Sequence, residues 1–142
     1  MLAQLMVGAV ASVCSITIHS FMMALVLKVA RAHRILRGYS SVALAGIMTS
    51  AVCVLMMAHT LEIMIWAIIY RAVDIAPAGS DFLYFAFVNY TTLGYGDILP
   101  SERWRLLGPA AAMNGILLFG WSTAVIFEIL RRTLILMEEG AH

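Results

Sequence analysis

The chain is poor in charged residues. Asp, Glu, Lys and Arg together account for 12% of its 142 residues, and 63% of the residues are hydrophobic. An ordinary soluble domain carries about 25% charged residues, so this composition excludes such a domain and predicts a protein that lies in a lipid bilayer. The formal net charge of +1 gives no basic surface of the kind that binds nucleic acid.

The sequence has only two cysteines, Cys14 and Cys53, and both stand in apolar stretches. No disulfide is expected there, because oxidised pairs form in aqueous compartments. No repeat, low-complexity tract, nucleotide-binding domain or calcium-binding domain is evident, and no organic cofactor is expected. The first apolar stretch lacks the basic n-region of a secretory signal peptide, so we expect it to remain in the mature protein.

Three stretches stay free of charge over a length that can cross a bilayer, for which about 20 residues in a helix suffice. They are residues 2–27, residues 38–70 with Glu62 as their one charged residue, and residues 106–127. Residues 82–96 are apolar but too short to cross and return, so they are predicted to be re-entrant, with protein or a water-filled cavity covering their backbone. The predicted fold class is therefore an all-α membrane protein with three transmembrane helices and one re-entrant segment.

The distribution of basic residues predicts the orientation. Two groups follow the spans on the same side: Lys28, Arg31, Arg34 and Arg37 after the first span, and Arg131 and Arg132 after the third. Because Lys and Arg are retained on the cytoplasmic side, the N-terminus is predicted outside and the C-terminus inside. The three-residue spacing of the first group is like that of voltage-sensor helices, but the first span has no counter-charge, so we expect contacts with anionic lipid headgroups.

The re-entrant segment has the pattern of a short helix followed by a special loop. Asp81 can cap a helix over residues 82–90 whose C-terminal end points into the membrane. In the next residues, 92–96, glycines alternate with other residues, and glycine readily takes left-handed backbone angles. Such a strand can point successive carbonyls the same way. Four strands around an axis can then replace the hydration shell of K⁺ with the carbonyls of residues 92–95 and the Thr92 hydroxyl.

Residues 91–97 read Thr-Thr-Leu-Gly-Tyr-Gly-Asp, and in this setting the segment resembles the pore domain of the potassium channel family, which uses Thr-Val-Gly-Tyr-Gly-Asp or close variants. The resemblance covers roughly residues 44–130, as outer helix, pore helix, filter and inner helix. It implies a homotetramer, a non-enzymatic function in passive K⁺ conduction, and a multi-pass location in a bacterial inner membrane. The implied selectivity filter consists of Thr92, Leu93, Gly94, Tyr95, Gly96 and Asp97. The alternative is a weakly selective or non-conducting cation channel subunit.

The resemblance also sets expectations for the pore helix. Tyr84 and Phe85 stand where aromatic rings of the family brace the filter tyrosine. Val88 stands where some relatives carry a carboxylic acid beside the filter aspartate, so Asp97 must find another partner or remain solvated. Asn89 replaces the Thr or Ser common at its position, which changes the local hydrogen bonding.

The third span carries candidates for gating. Gly115 and Gly120 are hinge candidates, because a glycine weakens a helix, and close helix packing is the alternative. The cytoplasmic mouth of the pore is predicted to lie at the next residues along this helix, namely Thr123, Ala124 and Glu128. Four copies of Glu128 could concentrate cations there, or the carboxylate could instead pair with the basic residues that follow it.

Polar residues in the second span share one helix face. They are His59, Glu62, Trp66 and Tyr70. A carboxylic acid within the membrane turns toward protein or a cavity, and His59 is the nearest predicted partner of Glu62, with Asn114 and Arg105 as further candidates. Two donors are too few for a closed metal site, and no third ligand is evident at matching depth. A structural bond and a proton-sensitive gate both remain open.

These observations divide the chain into three parts. Residues 1–37 form an extra transmembrane helix with a basic cytoplasmic end. Residues 38–132 form the pore domain, and residues 133–142 form a short cytoplasmic tail.

Overall fold

The computed structural model describes the backbone of residues 1–37 and 40–139 and the side chains of residues 1–31 and 40–138. Within these residues the chain is helical and contains no strand. The helices are α1 (Leu2–Arg37), α2 (Ser41–Ala72), α3 (Phe82–Tyr90) and α4 (Leu107–Glu139), with a 3₁₀ turn at Glu102–Trp104 before α4. The predicted all-α fold class is confirmed.

Three of the helices are long and apolar enough to cross a membrane, over Leu2–Arg31, Ser41–Ala72 and Glu102–Glu138. They correspond to the three predicted spans. The helix α4 continues to Glu139. Most of residues 133–142, which we predicted to be a cytoplasmic tail, therefore belongs to this helix, in keeping with the apolar residues Leu134 to Met137. Lys28 and Arg31 are exposed on α1, while Arg34 and Arg37 fall outside the side chains that the structure describes.

The short helix α3 starts where a cap fixes it. The Asp81 carboxylate accepts hydrogen bonds from the backbone N–H groups of Leu83 and Tyr84, each at 3.0 Å. Such a cap satisfies donors that the first turn of a helix leaves unpaired. The predicted helix over residues 82–90 and its cap at Asp81 are therefore both present.

An aromatic and aliphatic core holds α3 between α2 and α4. The Phe85 ring packs on the Tyr70 ring of α2 at a centroid distance of 5.3 Å, and Trp66 contacts Tyr70 edge-on at 5.9 Å. The Tyr70 hydroxyl donates to the Leu107 carbonyl at the start of α4, at 3.2 Å. Because each of these rings is buried, this core fixes the position of α3 and of the loop that follows it.

The helix α1 lies along α2 and α4. A second apolar cluster fills this contact, formed by Met23, Val26, Ala30, Ile47, Ala51, Leu55 and Ile129. The extra helix is thus packed against both long helices of the predicted pore domain, α2 and α4.

Candidate functional site

The backbone of the loop after α3 alternates in handedness. Thr92, Gly94 and Gly96 have φ values of +62°, +57° and +75°, whereas the intervening Leu93 and Tyr95 are not in the left-handed region. Glycine reaches such angles without strain, but a β-branched residue such as Thr92 does so only at a cost of about 1–3 kcal/mol. An alternation of this kind turns successive peptide carbonyls toward one side of the strand.

The same loop is tied back to the end of α3. The backbone N–H groups of Leu93 and Gly94 both donate to the Val88 carbonyl, at 2.9 and 3.2 Å. The Thr92 N–H donates to the Asn89 carbonyl at 3.0 Å. These bonds satisfy carbonyls at the C-terminal end of the helix and hold the loop directly beneath it.

The side chains of residues 91–97 are exposed in the single chain, with Leu93 at 55% and Tyr95 at 65%. The Asp97 carboxylate bonds to another side chain: the Tyr84 hydroxyl donates to its Oδ2 atom at 2.6 Å. The hydrogen bond to this carboxylate raises the pKa of Tyr84 to about 12. The Val88 side chain cannot hydrogen-bond to Asp97, and Tyr84, one helical turn earlier on α3, is its partner instead.

Two other residues of α3 contribute to its packing against α2 and α4. Phe85, which we expected to brace the filter tyrosine, points into the core against Tyr70. The Asn89 side chain donates to the Phe85 carbonyl at 3.0 Å, and its Oδ1 atom would lie 3.1 Å from a Cβ atom on Gly108. Asn89 thus fills the space that a glycine of α4 leaves open.

The two hinge candidates have different surroundings. Gly115 is buried against the last residue of α3, whereas a Cβ atom on Gly120 would meet nothing within 4 Å in this chain. Close packing is therefore sufficient to explain why position 115 is a glycine. At position 120 the contacts within one chain do not explain the glycine.

The residues of the predicted cytoplasmic mouth lie on the exposed side of α4. Thr123 and Ala124 are exposed, and the Thr123 hydroxyl donates to the Phe119 carbonyl at 2.9 Å. Glu128 forms ion pairs with Arg131, at 2.9 Å, and with Arg132. In this chain the carboxylate is thus paired with the basic residues that follow it.

Glu62 is a fully buried carboxylate, with a side chain that is 0% exposed. Its Oε1 atom lies 2.7 Å from His19 Nδ1 of α1, and its Oε2 atom lies 3.0 Å from His59 Nδ1. The Tyr90 hydroxyl at the end of α3 donates to the same Oε2 atom. Both carboxylate oxygens are therefore hydrogen-bonded, as a buried charge requires.

A serine of α4 contacts both histidines on the side away from the carboxylate. Ser122 Oγ lies 3.0 Å from His59 Nε2 and 3.5 Å from His19 Nε2. Each imidazole thus has one nitrogen toward the carboxylate and the other toward the hydroxyl. We call this group the polar node; its residues are His19, His59, Glu62, Tyr90 and Ser122, and they come from all four α-helices.

The structure brings His59 to Glu62 as predicted, but the further candidate partners were wrong. Arg105 is exposed near the start of α4, and the Asn114 amide nitrogen is buried without a partner in the described part of the chain. The statement that no third ligand lies at matching depth was also wrong. His19, His59 and Glu62 have donor atoms within 4.8 Å of one another.

Sequence reasoning missed three members of the node. His19 is a polar residue in an otherwise charge-free span, which was itself a signal that a partner must lie nearby. Tyr90 and Ser122 gave no comparable signal, because hydroxyl groups are common in helices whether or not they contact a carboxylate.

Comparison with known proteins gives one match. A protein-family profile described as "Ion channel" matches residues 58–132, which is just over half of the chain and extends from the second half of α2 through α3 and the loop into α4. No curated protein and no solved structure matches the chain.

Proposed function

The chain belongs to the ion channel family, and on that premise we propose that it is a potassium-selective channel subunit that conducts K⁺ passively through a homotetrameric pore. The observation that carries the proposal is the alternation of positive φ at Thr92, Gly94 and Gly96. A backbone of this kind presents consecutive carbonyl oxygens, which are the ligands that replace the hydration shell of K⁺ in a selectivity filter. The ligands would be the carbonyls of residues 92–95 and the Thr92 hydroxyl.

The position of α3 supports the same function. A helix carries a partial negative charge, equivalent to about half an elementary charge, at its C-terminal end. The C-terminal end of α3 lies at Tyr90, directly before the loop, and its last carbonyls hold the loop backbone in place. Four such helix ends directed at one axis would favour a cation there.

A tetramer follows from the number of ligands. One loop supplies one strand, and a dehydrated K⁺ ion needs oxygens on all sides, so four copies are required. The exposure of the loop agrees with this requirement, as does an exposed apolar face on α4 that includes Met113, Leu117 and Phe127. In the proposed tetramer these surfaces contact other copies and the pore, while α1 lies at the periphery and contacts lipid.

The proposed orientation places the loop on the outer side of the membrane and the end of α4 in the cytoplasm, because basic residues are retained inside. Lys28 and Arg31 would then contact anionic headgroups of the inner leaflet. A bacterial inner membrane is the proposed location. Conduction through such a pore runs down the electrochemical gradient and needs no enzymatic step.

Bi-ionic recording on the purified protein in planar bilayers tests the proposal. With K⁺ on one side and Na⁺ on the other, the wild-type reversal potential should lie far toward the K⁺ equilibrium value. Gly94→Ala should abolish this selectivity or the current, because alanine at a φ of +57° is strained by about 1–2 kcal/mol. An unselective wild-type current would instead indicate the weakly selective cation channel, and the absence of current would indicate a non-conducting subunit.

A matched control separates filter geometry from general backbone strain. Gly79 also has a positive φ, +88°, with open space around it, but it lies in the loop before α3. Gly79→Ala should therefore retain the wild-type reversal potential. If Gly94→Ala also retains it, residues 92–96 are not the filter.

A further inference from the structure

The polar node holds a carboxylate that has no permanent cation beside it. Glu62 is contacted by two imidazoles and a phenol, and among the ion pairs of the described residues it meets no Lys or Arg. A buried charge is costly unless it is paired or coordinates a metal. The node therefore requires one positive charge, which is either a proton, on an imidazole or on the carboxylate itself, or a metal ion.

The donor atoms are those of a zinc site. Two histidines and one glutamate form a known three-ligand zinc set, with Zn–N and Zn–O bonds of about 2.0–2.2 Å. Ligands on a tetrahedral ion with these bond lengths are separated by about 3.3 Å. His19 Nδ1 and His59 Nδ1 lie 2.7 and 3.0 Å from the two Glu62 oxygens, so each of these distances must lengthen by about half an ångström to admit the ion. The donor atoms of the three residues lie within 4.8 Å of one another, so the widest pair must close toward the same spacing.

The atoms around these donors also suit a metal. A ligating histidine usually donates its second ring N–H to an oxygen, which fixes the tautomer and the ring orientation. If both histidines bind through Nδ1, each carries its proton on Nε2, and both Nε2 atoms face Ser122 Oγ. The Tyr90 hydroxyl, 3.2 Å from His59 Nδ1, supplies an oxygen for the fourth position.

We propose that the polar node binds one divalent transition metal ion per chain, Zn²⁺ in the first instance, through His19, His59 and Glu62. The ion would join α1 to α2 beside the last residue of α3. Its route inward is on the His59 side, where the side chain is 10% exposed while His19 and Glu62 are 0% exposed. The inference does not require that the chain conduct.

Equilibrium dialysis of the full-length protein in detergent against buffered Zn²⁺, with zinc and protein quantified, tests the site. Wild type should bind one Zn²⁺ per chain. His19→Gln and Glu62→Gln should each abolish this binding, while His33→Gln, which removes another histidine of α1, should leave it intact. Ser122→Ala should keep the stoichiometry and weaken affinity by about 10–100-fold, as loss of a residue behind a ligand does.

Two further measurements keep the test decisive where a variant folds poorly. Zinc should raise the thermal unfolding midpoint of wild type, because a ligand that binds only the folded state stabilises it. Co²⁺ in place of zinc should give the visible absorption bands of a four-coordinate ion. Substoichiometric binding by wild type, or binding by a folded His19→Gln protein equal to that of wild type, would overturn the inference and assign a proton as the cation of the node.

Discussion

A Cβ atom on Gly115 would overlap the carbonyl oxygen of Tyr90. No side chain fits there, because the atom that it would meet belongs to the backbone of α3 and cannot rotate away as a side chain can. The inner helix α4 therefore touches the end of α3 through this glycine. The contact couples the position of α4 to the residue that stands directly before the proposed filter.

Gly115→Ala should consequently push α4 away from α3. We expect the free energy of unfolding to fall by about 1–3 kcal/mol, the usual cost of overpacking, together with a loss of K⁺ selectivity. Gly120→Ala, at a position with open space in the chain, is the control and should keep wild-type stability. A Gly115→Ala protein with normal stability and selectivity but altered open probability would favour the hinge over the packing role.

The Tyr84 phenol should titrate well above its ordinary pKa of about 10. The cause is the hydrogen bond to the Asp97 carboxylate, which raises the pKa to about 12 because ionisation would place two negative charges side by side. The raised pKa means that this bond contributes its full stability below pH 10 and loses it as the pH rises through about 12. Difference absorbance at 295 nm between wild type and Tyr84→Phe measures this titration.

Asp97→Asn provides the matched comparison for that titration. The amide carries no charge, so the Tyr84 pKa should return toward 10, while the hydroxyl can still donate to the amide oxygen. A Tyr84 pKa that is the same with Asp and with Asn at position 97 would contradict the assigned partner.

Removal of the Glu62 side chain should destabilise the whole helix bundle. Glu62→Ala leaves two imidazoles and a hydroxyl without their acceptor, and each buried group left unpaired costs roughly 1–3 kcal/mol. Glu62→Gln keeps the shape and one acceptor oxygen, so it should lose less. Chemical unfolding in detergent measures both, with Thr60→Ala, an exposed position on the same helix, as the control. Equal stability of Glu62→Ala and wild type would show that Glu62 does not form these hydrogen bonds in the assembled protein.

The assembled protein should contain four chains. Native mass measurement in mild detergent should give four times the 15.6 kDa of one chain, and a conducting dimer would contradict the proposed pore. Two exposed phenylalanines allow a matched test of which surface assembles: Phe127 of α4, 64% exposed, and Phe21 of α1, 73% exposed. Phe127→Ala should lower the temperature at which the tetramer dissociates, and Phe21→Ala should not.

Local features of this fold were predictable because they depend on neighbours in the chain. The cap at Asp81, the helix over residues 82–90 and the three apolar spans all follow from residue type and length. The partners of Glu62 were different: His19 lies 43 positions away in sequence and Tyr90 lies 28 positions away. Their contact depends on how each helix is rotated about its axis, and nearly uniform apolar spans carry little information about rotation.

The partner of Asp97 was missed for a related reason. Tyr84 precedes Asp97 by 13 positions, and the path of the loop decides which residue of α3 the carboxylate reaches. We looked for a partner at Val88, because relatives carry a carboxylic acid there. The loop instead passes beside the earlier turn of the helix.

The bond between His19 and Glu62 bears on how the protein enters the membrane during synthesis. The first helix is made before the second, and an acidic side chain at the centre of a lone helix opposes insertion by about 2.5–3.5 kcal/mol. His19 offers Glu62 a partner as soon as α1 and α2 form a hairpin, before α3 and α4 have left the ribosome. The extra helix would thus act as an intramolecular chaperone for the span that follows it, and a chain translated from Ser41 onward would have to insert Glu62 without that help.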